Sequence, residues 1–307
     1  MAAPQILTKF HAGTGTWQYI VADASSSQAI IIDSVLDFDP SSRKVSSTNA
    51  DELLTLVHDH GLQVVAILET HAHADHLTAA RYLQQKLSQT QPRPAIGIGK
   101  RITQVQRTFA KKYGVDEGEL EDVFDRLWDD DEEFAVGDLV ARVLYLPGHT
   151  PDHVGYMIGS NVFTGDSIFN PDVGSARADF PGGSATDLYK STQLLLSLPG
   201  HYRLYTGHDY PPSERETGSE SGEKWKAYST VEEQNRENKH LKKGTVEADF
   251  IKWRAERDAG LGEPKLLHQA LQFNIRAGRL PLGTTGGDRL VHLPLRVDDE
   301  LRDLMDG

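Results

Sequence analysis

The sequence predicts an α/β protein built from two β-sheets with helices outside them. Three observations carry this expectation. The chain opens on a hairpin pattern, continues as strand–helix alternation, and returns to strands in its second half. In the opening part, Trp17 to Ala22 and Ala29 to Val35 are apolar stretches split by the polar turn Asp23 to Gln28. Asp51 to His60 has a helical pattern that Gly61 ends, and Leu62 to Leu68 reads as a buried strand because it is apolar and β-branched. Leu77 to Leu87 reads as a helix, Ala95 to Ile98 as a short strand, and Arg101 to Tyr113 as a helix stopped by Gly114. The acidic stretch Asp129 to Glu133 reads as a solvated loop. Phe134 to Leu146 alternates as strands do, with a turn at Val136-Gly137-Asp138, and Val154 to Ile158 with Asn161 to Thr164 form a second hairpin pattern around Gly159. Asp187 to Leu198 reads as a helix and Tyr202 to Thr206 as a strand. Pro211 to Lys226, rich in Pro, Ser, Glu and Gly, reads as an insertion or mobile loop. From Thr230 the chain is helical and highly charged, and Leu266 to Arg276 is a final mixed segment.

Composition narrows the function. With 307 residues, 38% hydrophobic and 25% charged, the chain has the make-up of a soluble globular protein of one large domain, or one domain with an appendage. No apolar run approaches the roughly 18 residues of a membrane span. Met1 to Phe10 has neither an apolar signal core nor an arginine-rich amphipathic pattern, so a cytoplasmic location is expected, with a mitochondrial one left open. A formal net charge of −13 argues against nucleic acid or an anionic membrane as partner. There is no cysteine, which removes disulfides, thiolate ligands and a cysteine nucleophile, so any metal must be held by His and carboxylate.

Such a set stands at Thr70-His71-Ala72-His73-Ala74-Asp75-His76, directly after a predicted strand, where α/β folds place their chemistry. Imidazole with carboxylate suits zinc, iron or manganese rather than calcium or magnesium. Three later motifs share one grammar, an apolar strand, then glycine, then a ligand type. They are Leu146-Pro147-Gly148-His149-Thr150, Phe163-Thr164-Gly165-Asp166-Ser167 and Thr206-Gly207-His208-Asp209-Tyr210. A lone Gly-His or Gly-Asp is more often a turn than a ligand, and Asp166 alone would be a helix cap. All four motifs in order are a different matter. His11, His58, His60, His201, His268 and His292 stand in no such context and read as surface or packed histidines.

The order His-x-His-x-Asp-His, Gly-His-Thr, Gly-Asp and Gly-His-Asp-Tyr resembles the metallo-β-lactamase superfamily. The resemblance implies an αββα sandwich, two mixed sheets flanked by helices, with the metal site at one edge. Residues 1–210 would form that core, and residues 211–307 a loop insertion followed by a C-terminal helical extension packed on it. Within the superfamily the chain resembles persulfide dioxygenases through Arg177-Ala178-Asp179-Phe180, Leu188-Tyr189, Ser229-Thr230-Val231-Glu232-Glu233 and Asn274-Ile275-Arg276-Ala277-Gly278. That likeness implies one Fe(II) held by His71, His149 and Asp166, two histidines and a carboxylate that leave open positions. It implies O₂ activation at iron and oxidation of glutathione persulfide to sulfite and glutathione. Arg177, Tyr210 and His240 would meet substrate, and Asp75, His208 and Tyr210 would serve catalysis. His73, Asp75, His76 and His208 would orient ligands or bind substrate. A homodimer is expected from the same likeness. Gly174-Ser175-Ala176 replaces that family's cysteine-containing segment, and His240 stands where a second basic residue is expected.

A second possibility inside the superfamily is a dinuclear zinc hydrolase of a thioester, lactone or lactam, of glyoxalase II or lactamase type. There His71, His73 and His149 would hold one ion, Asp75, His76 and His208 the other, and Asp166 would bridge, with the metals supplying nucleophile and Lewis acid. Ligand types alone do not separate the two. A third possibility, a binding protein with a retired site, fits poorly with a complete ligand set. The pair Asp152-His153 could orient His149 or cap the next strand.

Overall fold

In the computed structural model, which describes residues 3–213, 215, 224–298, 302 and 305, two six-stranded sheets face each other with helices on both outer sides. The first sheet runs in the order β1 (Gln5–His11), β2 (Thr16–Ala22), β3 (Gln28–Ile32), β6 (Gln63–Leu68), β8 (Ala95–Gly99), β9 (Arg126–Trp128). β1 to β3 form an antiparallel meander, whereas β3, β6, β8 and β9 lie parallel, joined through helical crossovers. The second sheet runs β10 (Glu133–Val136), β11 (Leu139–Tyr145), β12 (Val154–Ile158), β13 (Asn161–Gly165), β14 (Arg203–Thr206), β15 (Tyr228–Thr230), with β13 and β14 its one parallel pair. A small three-stranded sheet of β5 (Lys44–Ser46), β4 (Val35–Asp39) and β7 (Leu77–Thr78) covers one flank.

The two-residue strand period sorts side chains into layers. Tyr19, Val21, Ile30, Ile32, Ala66 and Leu68 meet Ala141, Val143, Tyr156, Ile158 and Phe163 between the sheets. Their neighbours Ile20, Ile31 and Ile67 point the other way, under α1 (Thr48–Asp59), α2 (Ala80–Leu87), α3 (Ile102–Tyr113) and α7 (Leu267–Asn274). On the far side, Leu144, Val162 and Leu204 pack under α4 (Ala185–Leu196), α5 (Val231–Glu237) and α6 (Glu247–Ala259). The C-terminal residues Leu267, Ala270, Leu271, Phe273 and Ile275 belong to the same apolar cluster as the first sheet's outer face. No helix among the described residues is long and apolar enough to cross a membrane.

Local chemistry moved several boundaries. The expected strand Ala29 to Val35 breaks in two, because Asp33 adopts a left-handed φ of 54° and turns its carboxylate inward. The expected helix from Leu77 begins only at Ala80. Leu77 and Thr78 pair instead with Leu36 and Val35, and Thr78 Oγ1 accepts the Ala80 N–H at 3.0 Å. The Ser-Thr-Val-Glu-Glu segment is a helix start, in which Thr230 and Glu233 form a reciprocal capping box for α5. β1, β9 and β15 were not expected from pattern; each is a border strand or a short one. Within the expected insertion 211–226, residues 214 and 216–223 lie outside the described residues.

His240 stacks on Trp253 of α6 at 3.7 Å between ring centroids, and its ring leaves no space for a side chain at Gly174. Burial, with Lys239 and Arg254 nearby, pushes its pKa down to about 4. The folded state therefore disfavours the proton that the unfolded chain accepts near pH 6.5, so stability falls as pH drops from about 6.5 towards 4. His240→Phe keeps the stack and removes the proton. Its Tm should fall less than that of the parent between pH 7 and pH 4.5, and parallel Tm curves would refute this origin of the acid sensitivity.

Candidate metal centre

The ligand types leave strand ends at one edge of the sandwich, and His71, His73, His149 and Asp166 are oriented by hydrogen-bonding partners. Beyond β6, the Thr70 N–H and hydroxyl donate to the Asp33 carboxylate at 2.8 and 2.9 Å. Because the Thr70 proton is given to Asp33, its oxygen accepts from His71 Nδ1 at 2.9 Å, which leaves His71 Nε2 as the free donor atom. His73 Nε2 lies 3.1 Å from Asp33 and 3.3 Å from Glu69, so it carries a proton and Nδ1 is the atom left over. His149 Nδ1 donates to the Arg177 carbonyl at 2.8 Å, which turns Nε2 inward, 3.7 Å from Asp166 Oδ2. Second partners of this kind fix the tautomer and aim of a metal-binding imidazole.

Two glycines allow the close approach of these segments. Gly165 has a left-handed φ of 49°, and a Cβ there would stand 2.5 Å from Thr70 Oγ1. A Cβ on Gly207 would stand 2.4 Å from Asp166 Oδ1. Asp152 and His153 serve the scaffold. Asp152 accepts the Ala72 N–H at 2.8 Å, and His153 Nε2 accepts the Asp166 N–H at 2.9 Å. Neither orients His149.

His71, His149 and Asp166 come together with one donor atom each within 4.8 Å of the others, and His73, Asp75 and His76 form a second such group. His208 is in neither. Its Nδ1 is 2.7 Å from Asp166 and its Nε2 is 2.6 Å from Asp75. Burial and the neighbouring histidines hold His71 well below the usual imidazole range, and burial with His73 brings His76 down to about 4. Both are therefore neutral ligands at pH 7. Burial would lower His73 and His208 too, but adjacent carboxylates raise both well above the usual range.

The donor set fits a metal. His71 Nε2, His73 Nδ1 and both nitrogens of His76 are buried without any hydrogen-bond partner, and native structures rarely leave such atoms without a role. Imidazole and carboxylate donors, with no thiolate, suit zinc or iron. Residues 12–208 match the metallo-β-lactamase superfamily, roughly two thirds of the chain. The chain belongs to the metallo-β-lactamase superfamily.

Its relatives carry different names. A β-lactamase hydrolase-like protein of Agrobacterium fabrum is 44% identical over 297 residues, covering 96% of this chain. The chain spans only 66% of that relative's length. Glyoxylase B2 of Dictyostelium discoideum is 41% identical over 92% of the chain and 94% of its own length. The mitochondrial persulfide dioxygenase ETHE1 of Bos taurus is 27% identical over 90% of each. The crystal structure of ETHE1 from Myxococcus xanthus covers 90% of this chain and 100% of its own, with a TM-score of 0.69 and 27% identity.

The residues expected to meet substrate are placed unevenly around this superfamily site. Tyr210 is half exposed and lies parallel to the His208 ring, 5.6 Å between centroids and 7° between planes. Arg177 is held by both oxygens of Asp179 at 2.5 Å and by the Gly262 carbonyl at 3.0 Å, so the bridge to Asp179 is formed. His240 sits against Trp253 and Gly174. Asp33 and Glu69 escaped the sequence reading, although both are buried beside His73. Asp33 directly follows Ile30-Ile31-Ile32, and a carboxylate at the end of so apolar a strand was the available signal.

Proposed function

We propose that this protein is a mononuclear Fe(II) persulfide dioxygenase that oxidises glutathione persulfide, with O₂ and water, to sulfite and glutathione. The observation that carries this is the state of His208. The zinc-hydrolase alternative needs its free Nε2 beside Asp75 and His76 for a second ion. Its Nδ1 instead bonds Asp166 at 2.7 Å and its Nε2 is engaged by the Thr16 hydroxyl at 3.1 Å, 2.6 Å from Asp75, while His71, His149 and Asp166 stand gathered as a set of their own. The likeness to the ETHE1 structure along 90% of the chain supports the same reading. Iron bound there would supply redox chemistry and open positions for a sulfur and O₂ on one face.

The protein's own groups then do the rest. The Arg177 carbonyl holds His149 in the ligating tautomer, and Asp33 does the same for His71 through the Thr70 hydroxyl. His208, between two carboxylates, fixes the Asp166 carboxylate by hydrogen bonding to Oδ1 and keeps Oδ2 for the metal. Tyr210 forms the half-exposed rim, and Arg177 would meet the charged part of a thiol only by sharing or releasing its partner Asp179.

Protein purified without added metal is expected to hold about one iron per chain and to consume O₂ only when glutathione persulfide is supplied. His208→Ala should keep one iron per chain, held about 10- to 100-fold more weakly, because His208 positions Asp166 without being a ligand itself. About two zinc ions per chain, loss of one of them in His208→Ala, and turnover of a thioester, lactone or lactam without O₂ uptake would overturn the proposal.

A further inference from the structure

The superfamily match ends at residue 208, yet two contacts from beyond it reach backbone that carries or orients a candidate metal ligand. The first comes from α7. Asn274 is buried, and its amide nitrogen donates to the carbonyls of His73 and His76, both at 2.8 Å. Its amide oxygen accepts the Thr78 N–H at 2.9 Å. One side chain thus bridges the backbone on both sides of Asp75 and uses both its donors and its acceptor. The second contact comes from α6. Arg254 and Asp258, one turn apart and both buried, pair at 2.5 Å. Arg254 donates to the Ala176 carbonyl at 3.1 Å, and Asp258 accepts the Ala178 N–H at 2.9 Å. The peptide between those two points presents the Arg177 carbonyl that orients His149.

We infer that the C-terminal extension is a positioning brace for the metal centre, with Asn274 setting the loop of His73, Asp75 and His76 and the Arg254–Asp258 pair setting His149. None of these three residues belongs to the groups of candidate metal donors. Asn274 acts through the backbone that carries the histidine loop, and the Arg254–Asp258 pair through the peptide whose carbonyl orients His149, as outer partners of ligating groups do in other metal sites. A core element whose only task was to cover apolar surface would need no buried amide or ion pair at these points. Unpaired buried groups of this kind are costly to keep. The inference rests on a metal being held by the histidines and Asp166, and not on iron or on persulfide chemistry.

The test uses the full chain and Zn(II) as probe, with affinity read by competition with a chelator and geometry by the visible spectrum after Co(II) substitution. Asn274→Ala and Asp258→Asn are each expected to raise the zinc Kd about 10-fold or more and to shift the Co(II) bands. The control is Glu119→Gln. Glu119 receives Arg276 at 2.9 Å, an extension-to-core contact that reaches no ligand segment. It should lower Tm while leaving Kd and spectrum at parental values. Parental zinc affinity and an unchanged spectrum in Asn274→Ala and Asp258→Asn, whatever their Tm, would overturn the brace. Asp258→Asn keeps size and an acceptor for Ala178, so it decides alone if the alanine variant does not fold. Because no turnover is measured, a failure of the persulfide reading leaves this result standing.

Discussion

Replacing His149 with alanine is expected to strip the chain of its metal and of its activity together. His149 is one of three gathered donors, and it lies on a segment held separately from the other histidines, so no neighbour can take its place. Losing an outer partner of a ligand costs about 10- to 100-fold in metal affinity, and losing the ligand itself should cost more than that. The alanine also leaves the Arg177 carbonyl without its donor, a penalty of about 1–3 kcal/mol if no water replaces it. Metal analysis after dialysis, beside an activity assay, checks the prediction. Retention of stoichiometric metal in His149→Ala would exclude His149 from the ligand set. The contrast with His208→Ala is the informative one, because both are buried histidines on glycine turns and only His149 is expected to ligate the first metal, His208 acting on it through Asp166.

The second large effect should come from Asp33→Ala. Asp33 is fully buried and receives the Thr70 N–H, the Thr70 hydroxyl and His73 Nε2. Removing one partner of a buried charged pair costs about 3–5 kcal/mol. For a domain of this size that is a fall in Tm on the order of 10 °C. The metal should weaken as well, since the orientation of both His71 and His73 descends from Asp33. The pair also sets the pH response of the metal-free protein. Burial opposes the charge of Asp33, but His73 holds its pKa below the usual value, so its contribution is present above about pH 4 and lost as pH falls through the lower folded value. His73 is raised, so its contribution is complete below about pH 6.5 and fades as pH rises through the raised folded value. The metal-free parent should therefore gain most over Asp33→Ala between about pH 4 and 6.5. Thermal melts of both proteins across pH test this, and a constant difference at every pH would refute it.

How far the sequence discloses the site depends on how local the signal is. The candidate ligands were legible because each is a metal-binding type of side chain set at the end of an apolar strand, often after a glycine. The layers were legible where the two-residue period was strong, as in Ile30, Ile31 and Ile32, whose side chains divide between two apolar clusters. Asp33 was hidden by its neighbours, since propensity extends a strand through it and only the left-handed backbone breaks the run. The Ser-Thr-Val-Glu-Glu segment looked like a family signature and is a capping box, which the spacing of Thr230 and Glu233 could have disclosed. Asn274 carries no local mark at all. Its partner His73 is 201 residues away in sequence, and nothing in composition or periodicity relates two such positions.

The placement of the ligand segments also bears on when the metal can be taken up. His71 and His73 follow β6 of the first sheet, while His149 and Asp166 leave strands of the second. An ion held among them fastens one sheet to the other across their common edge, and no segment emerging early from the ribosome can hold it in its final form. Binding by His71, His149 and Asp166 together would thus follow the meeting of the two halves. Because the ion binds the assembled chain and not the open one, its concentration adds to the free energy of keeping the halves together. A metal bound there would then add to the stability of the folded chain as well as supply its chemistry.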